Sequence, residues 1–283
     1  MFTHQPKITV ITVVYNDAKN LERTFESIRN QINRDFEYIV IDGCSKDGTL
    51  DTIRKNEDLI SHWISEPDEG IYDAMNKGIR LANGQYLNFM NAGDSFFEPT
   101  TIEDVCNALD QKPNTDILYG KVVKLSSEAS QFYYEKGEPL SNQSFFLSTP
   151  MCHQTMFIAK HLFNQSAVGQ YDLSFKAGVF YEWLAKYYSF RRELSRIYYL
   201  NKRLAIYLDG GYSFRVKRQI DIDRMKSVHR HFNVKYTLLN FLRFCVEYIK
   251  GWLLPLVEHF ELLDTYRKLK YGSKNKELNP IQK

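Results

Sequence analysis

The amino-acid sequence predicts an α/β fold: a mostly parallel sheet with helices on both faces, followed by a C-terminal helical extension. Three observations carry that expectation. Up to Pro99, short β-branched apolar runs alternate with apolar positions at helical spacing. Each run ends in a polar turn rich in Asn, Asp or Gly. From residue 216 onward the pattern changes to long, basic, helix-spaced segments. Strand–helix alternation implies parallel pairing, because each crossover helix returns the chain to the same end of the sheet.

Ile8 to Val14 (ITVITVV) is apolar on both faces and reads as a buried parallel strand. Leu21, Phe25, Ile28 and Ile32 then recur at spacings of four, three and four, one face of a helix. Phe36 to Ile41 predicts a second strand ending in Asp42-Gly43. Asp47 suits the N-cap of a helix over 48–56, and Leu59 to Ser65 predicts a third strand. A helix over 71–82 ends at Asn83-Gly84. Tyr86 to Met90 predicts a fourth strand before Asn91-Ala92-Gly93-Asp94, and Pro99 opens another helix. Beyond Asp116 the pattern predicts a hairpin of 117–125 with 131–134, a helix over 177–188 and a short strand at 204–208 before the turn Asp209-Gly210-Gly211. Two helices, roughly 216–232 and 236–269, close the chain ahead of a frayed tail at 273–283.

Composition narrows the function classes. At 283 residues, with 43% hydrophobic and 25% charged residues, the chain is globular in character. Cys44, Cys106, Cys152 and Cys245 form no CxxC pair, which argues against a zinc site or disulfide scaffold and for a reducing, cytoplasmic setting. The N-terminus carries no secretory signal pattern, and no apolar run is long enough to predict a membrane span. The net charge of +3 conceals an asymmetry: −9 over 1–185, +10 over 186–250 and +2 over 251–283. An anionic surface is a natural partner for the basic part, and no nucleic-acid partner is expected.

In an open parallel sheet, ligands bind outside the carboxyl ends of the strands. The polar residues there are Tyr15-Asn16-Asp17, Asp42-Gly43-Cys44-Ser45, Glu66-Pro67-Asp68-Glu69 and Asn91-Ala92-Gly93-Asp94. Carboxylates at four neighbouring ends repel one another unless a cation or an array of donors offsets them. Mg²⁺ or Mn²⁺ carrying a diphosphate is one solution, since these ions prefer hard oxygen ligands. Neither GxxxxGK[ST] nor GxGxxG is present, which excludes a P-loop enzyme and weighs against a dinucleotide dehydrogenase. Taken singly, Asp42 and Asp94 also fit turn caps, and Asp68-Glu69 fits the favourable charge at a helix N-terminus.

The strings DGCSKDGT, SEPDEGIYDAMNKG and NAGD, with the flanking ITVVYNDAKNLERTFESI, resemble the nucleotide-binding half of family 2 glycosyltransferases of the GT-A, Rossmann-like fold. The likeness is strongest to the exopolysaccharide and colanic-acid-type subgroup, is close over 7–98, and continues thinly through Cys152-His153-Gln154, Tyr181-Glu182-Trp183-Leu184 and Asp209 to Ser213. It implies a nucleotide-binding half over 1–98, an acceptor half over 99–215 and a helical extension over 216–283. The implied activity moves a sugar, with inversion, from a UDP- or GDP-linked donor to a glycan or polyprenyl-diphosphate-linked acceptor in bacterial surface polysaccharide synthesis.

The same resemblance implies roles for individual residues. Thr12, Tyr15 and Asn16 lie where such enzymes hold the nucleotide base, with Tyr15 stacking on it, and Asp42 hydrogen-bonds the base or ribose. Asp68, Asp73 and Lys77 fall in the segment that closes over the donor. Asp94 is the metal-binding carboxylate for Mn²⁺ or Mg²⁺, with Asn91 beside it on the donor side, and the His153-Gln154 pair faces the acceptor. Two positions depart from the family pattern. Asn91 and Gly93 stand where acidic residues are frequent, and Phe180 stands where the general base is expected. Glu182 is therefore the substitute base, while a catalytically impaired nucleotide-sugar-binding partner protein is the alternative reading. Leu238, Leu242, Cys245, Ile249, Trp252 and Leu256 form an apolar stripe. With Arg215, Lys217 and Arg218 it suits peripheral docking through 215–270 on the anionic inner face of the membrane, or equally a homodimer seam or packing on the catalytic domain.

Overall fold

The computed structural model describes residues 5–125, 133–141, 151–208, 216–232 and 234–259. Among them are nine strands: β1 (Ile8–Val14), β2 (Phe36–Asp42), β3 (His62–Ser65), β4 (Tyr86–Phe89), β5 (Ser95–Phe96), β6 (Ile117–Leu125), β7 (Tyr133–Lys136), β8 (Met156–Ala159) and β9 (Ile197–Leu208). The seven helices are α1 (Ala18–Arg29), α2 (Thr49–Lys55), α3 (Ile71–Leu81), α4 (Thr101–Gln111), α5 (Val179–Arg191), α6 (Lys217–His231) and α7 (Val234–His259).

One sheet runs in the order β3-β2-β1-β4-β8-β6-β9-β5, with β7 paired to β6. Its first four strands are parallel, as the sequence predicts. Successive residues of the central strands alternate between two cores. Ile11, Val13, Ile39 and Ile41 pack with Met75 and Ile79 of α3 and with Trp183 and Leu184 of α5. Val10, Val14, Tyr38 and Val40 pack with Phe25 of α1 and Val105 of α4. Both faces are covered, which is why these strands are apolar throughout.

Past β4 the sequence is less informative. Leu59, expected to open the third strand, instead closes a short 3₁₀ turn over 57–59, and the strand begins at His62. β8 enters antiparallel to both β4 and β6, and β9 is a twelve-residue strand rather than a short one. Its Tyr198-Tyr199 and Asn201-Lys202-Arg203 runs break the alternation of apolar and polar residues and hide the strand period from hydropathy. The turn at 209–213, Arg215, residues 126–132 and everything beyond 259 lie outside the described residues, as do the side chains of Trp252 and Leu256.

The expected boundary between catalytic domain and extension at 215/216 is crossed by close packing. Helix α6 rests on α5, burying Asp223, Arg224, Ser227 and Val228. Asp223 Oδ2 accepts backbone N–H bonds from Lys176 (3.0 Å), Ala177 (2.8 Å) and Gly178 (3.1 Å), so a residue of the extension caps the start of α5. Glycine at 178 allows this approach, since a Cβ there would lie 2.5 Å from Asp223 Cβ. We expect Gly178→Ala to destabilise the fold by about 1–3 kcal/mol, read as a lowered urea midpoint, because the added methyl forces α6 away from the peptides it caps.

Candidate active site

The carboxyl ends of β3, β2, β1 and β4 lie side by side along one edge of the sheet. Asp42 closes β2 in register with Val14 and Ser65, and it is fully buried. Its Oδ2 accepts from the Ser65 hydroxyl (2.6 Å) and the Ser45 backbone N–H (3.0 Å). Its Oδ1 is equally buried and has no hydrogen-bond partner. Leaving a buried carboxylate oxygen without a donor is costly, so this atom marks a place where an N–H or O–H of a ligand fits.

Beside it stands a small assembly that depends on Gly43. A Cβ at 43 would lie 2.5 Å from Asp68 Oδ2 and 3.2 Å from the Tyr15 ring, so glycine lets both side chains close over the end of β2. Tyr15 keeps 65% of its surface exposed, a flat aromatic face at the mouth of the edge. Asn16 staples the first two turns together. Its backbone N–H donates to Ser45 Oγ, and its Oδ1 accepts from the Lys46 N–H, both at 2.8 Å. Asp68 Oδ1 accepts from the Gly70 N–H (2.8 Å), and Asp73 Oδ2 from the Glu69 N–H (3.2 Å), which shapes the loop entering α3.

The turn after β4 is held from α1. The Thr24 hydroxyl donates to the Asp94 carbonyl (2.8 Å) and accepts from the Gly93 N–H (3.0 Å). The Asp94 side chain is buried, with Oδ2 accepting from Gln154 Nε2 (2.7 Å). Burial pushes its pKa up to about 7, against the Gln154 hydrogen bond and the positive charges of Arg23 and Lys124. Asn91 Oδ1 is a second buried oxygen without a hydrogen-bond partner. Asn91 and Asp94 therefore offer hard oxygen donors on one turn. Among the described residues no group of three or more His, Cys, Asp or Glu side chains could hold a metal ion unaided. Asn91 and Asp94 would suit a divalent cation that takes further oxygen ligands from outside the protein.

Four of the expected site residues have partners within the fold. Thr12 is fully buried, and its hydroxyl is spent on the Met90 carbonyl (2.7 Å) and the Tyr38 hydroxyl (2.9 Å). It braces β1 against its neighbours. Lys77 is also enclosed: its Nζ donates to the Pro67 carbonyl (2.6 Å) and pairs with Glu66 (3.0 Å) and Asp73 (3.6 Å). Burial opposes its charge, but these carboxylates outweigh it and raise the pKa, so Lys77 fixes the loop from beneath.

His153 sits among aromatic rings, 4.6 Å from Phe180 and 5.0 Å from Phe89 between centroids, with Nε2 2.9 Å from the Tyr171 hydroxyl. Burial pushes its pKa down to about 3, so it is a neutral wall and a poor proton acceptor. Glu182 points the other way. It is fully buried against α6, where Oε1 meets His231 Nε2 (2.8 Å) and Arg230 Nη1 (3.2 Å). Burial raises its pKa, but hydrogen bonds from His231 and Ser227 and the charge of Arg230 outweigh this and hold it ionised. The roughly 200° that a helix turns over two residues separates Glu182 from the face that carries Phe180. Glu182 Oε1 is thus engaged in an ion pair with α6, on the side of α5 away from Phe180.

Sequence reasoning missed Ser65, which orients Asp42, and Asp223. It paired Gln154 with His153 on the acceptor side, whereas the Gln154 amide donates to Asp94. The adjacency of the Cys152-His153-Gln154 segment to β4 was the missing information, and only the antiparallel entry of β8 supplies it.

A parallel sheet with polar strand ends along one edge defines an α/β class whose ligands bind outside the carboxyl ends of the strands. The chain belongs to the family described as glycosyl transferase family 2, whose model matches residues 9–166. It is 32% identical over 176 residues to a PGL/p-HBAD biosynthesis glycosyltransferase of Mycobacterium bovis, which covers 60% of this chain and 65% of the relative. It is 35% identical over 179 residues to an uncharacterized glycosyltransferase of Mycobacterium tuberculosis, covering 61% of this chain and 65% of the relative. The match thus spans just under two thirds of the length of these relatives. Among solved structures, a Pyrobaculum calidifontis mannosyltransferase in complex with GDP-Man and Mn²⁺ aligns at TM-score 0.61 and 18% identity, covering 89% of this chain and 73% of that one. Staphylococcus aureus TarS 1-349 in complex with UDP-GlcNAc aligns at TM-score 0.59 and 19% identity, covering 77% and 66%. These structural likenesses establish the GT-A-type fold. The relatives named are mycobacterial, and none carries the exopolysaccharide or colanic-acid label.

The neutral state of His153 has a measurable consequence. The unfolded chain binds a proton at this position near pH 6.5, whereas the folded chain does so only near pH 3. Its contribution to stability is therefore complete above pH 6.5 and is lost as the pH falls toward 3. In His153→Phe, the decline of the urea midpoint over that acid limb is expected to be shallower than in the unmodified protein.

Proposed function

We propose that this protein transfers a sugar from a UDP- or GDP-linked donor to a hydroxyl of a glycan or polyprenyl-diphosphate-linked acceptor, with inversion, in bacterial surface polysaccharide synthesis. We place that work on the cytoplasmic side, at the inner face of the membrane. The observation that carries the reading is Asp42 Oδ1, a buried acceptor without a donor at the carboxyl edge of a parallel sheet. The imide N–H of uracil and the ring N–H of guanine are both suitable donors to it. The exposed face of Tyr15 stacks on the same base, which an aromatic ring does at little entropic cost. The complexes of the two structural neighbours, with UDP-GlcNAc and with GDP-Man and Mn²⁺, support the reading.

Asn91 and Asp94 would hold Mn²⁺ or Mg²⁺ together with the donor diphosphate. When bound, such a cation offsets the charge that grows on the departing nucleoside diphosphate. Gln154 keeps the Asp94 carboxylate aimed at that place. Asp68 and Asp73, shaped by Lys77 beneath them, set the loop beside the donor. On the acceptor side, Phe180 and His153 form an apolar wall that holds the incoming hydroxyl group's ring and excludes water.

Two measurements test this. In a thermal-shift screen, UDP or GDP at about 100 times its Kd stabilises the protein by roughly 2.7 kcal/mol in the presence of Mn²⁺. Asp94→Ala is expected to remove the Mn²⁺-dependent part of that shift; a variant with an undiminished metal response would refute the role of Asp94. For the chemical step, Phe180→Asp restores a carboxylate at the position facing the acceptor. Release of nucleoside diphosphate from the cognate donor is then expected to rise by up to about 10²-fold, the lower end of what a positioned base contributes.

A further inference from the structure

Helices α6 and α7 form an antiparallel hairpin. Arg243 of α7 reaches back to Asp221 of α6 at 2.8 Å, and Asn240 is almost fully buried on the inner side of α7. The opposite side of α7 faces out. Leu238 (57% exposed), Phe241 (52%), Leu242 (52%), Val246 (49%) and Ile249 (56%) recur at one helical face with nothing packed over them among the described residues. Such a run of large apolar side chains on a surface helix marks a place that another surface covers.

The charge around the face indicates what covers it. Residues 216–250 carry eight Lys and Arg against three Asp and Glu. Lys217 and Arg218, one turn before Asp221, are exposed at the flank of the hairpin, as are Lys226 and, three residues before Leu238, Lys235. A second copy of this chain would bring two such basic hairpins together and repel itself. An apolar helix face bordered by lysine and arginine suits the headgroup layer of an anionic bilayer, where the apolar side chains enter the acyl boundary and the cations meet phosphate.

The hairpin is also anchored to the acceptor side. Asp223 holds the three peptides that begin α5, Arg224 stacks over the Tyr181 ring at 4.2 Å, and Arg230 and His231 grip Glu182. The face of α5 that carries Phe180 is therefore tied through α6 to the exposed face of α7.

We propose that the outward face of α7, with Phe241, Leu242 and Val246 at its centre and Lys217, Arg218 and Lys235 at its border, is a docking surface for anionic lipid that fixes the acceptor side of the protein at the membrane. This deepens the proposed membrane-side location and rests on that reading, but not on the identity of the donor.

The test is flotation of the full chain with vesicles of phosphatidylcholine alone or with about one third phosphatidylglycerol, alongside light scattering without lipid. The unmodified protein floats with the anionic vesicles, and at least about tenfold less does so at high salt, as screening requires. Phe241→Ser/Leu242→Ser/Val246→Ser stays in the lower fraction, and Lys217→Glu/Arg218→Glu loses most of its preference for the anionic vesicles. All variants keep the UDP or GDP thermal shift of the unmodified protein, which reports folding and the donor site separately from docking. Equal flotation of the triple-serine variant would overturn the proposal. So would absence of flotation by the unmodified protein, or a dimer that the triple-serine change converts to monomer. Loss of the nucleotide shift in the unmodified protein would instead count against the donor reading and leave the flotation result standing.

Discussion

A carboxylate buried at the end of a parallel strand, with one oxygen satisfied and the other not, is the constraint around which this edge is arranged. Asp42 can be held there because Ser65 and Ser45 satisfy Oδ2 and fix the side chain, so that Oδ1 keeps its direction. An unsatisfied buried acceptor costs on the order of 1–3 kcal/mol, and a ligand donor recovers that cost on binding. The neighbouring features follow. Gly43 is needed so that Tyr15 and Asp68 can close around the same spot, and Asn16 joins the two turns on which Tyr15 and Asp42 stand.

Asp94 is built by the same logic on the next turn, with a different supporting cast. Thr24 holds the backbone from α1 and Gln154 holds the side chain from the segment before β8. The supports come from parts of the chain far apart in sequence, so the turn is rigid without needing many acidic residues. In the proposed reading, a cation and a diphosphate supplied from outside would complete the charge balance of this turn.

The C-terminal hairpin is part of the same machine and not an appendage. The start of α5 has no cap of its own and takes Asp223 from α6. Glu182, buried on the other side of α5, is balanced by Arg230 and His231 of the same helix. Removing the hairpin would therefore leave an uncapped helix start and would strip Glu182 of both its cover and its ion-pair partners. The basic character of this segment is partly an answer to the acidic face it covers and partly a surplus that remains exposed.

The parallel strands, their polar ends and the residues Asp42, Asp68 and Asp94 were legible in the sequence, because burial on both faces writes a continuous apolar run and turn chemistry punctuates it. So was the opposition of Phe180 and Glu182, which follows from the angle a helix turns per residue. What Thr12, Lys77, His153 and Glu182 do was not legible. Each has the right chemistry for a ligand contact, and each has a partner inside the fold: the Met90 carbonyl, Glu66 and Asp73, the Tyr171 hydroxyl, and Arg230 with His231 on Glu182 Oε1. Local pattern determines which segments form and where their ends lie, since it reports hydropathy and backbone preference. Only the tertiary structure decides which polar groups are already paired and which, like Asp42 Oδ1, are left to meet a ligand, because pairing depends on long-range approach that no spacing encodes.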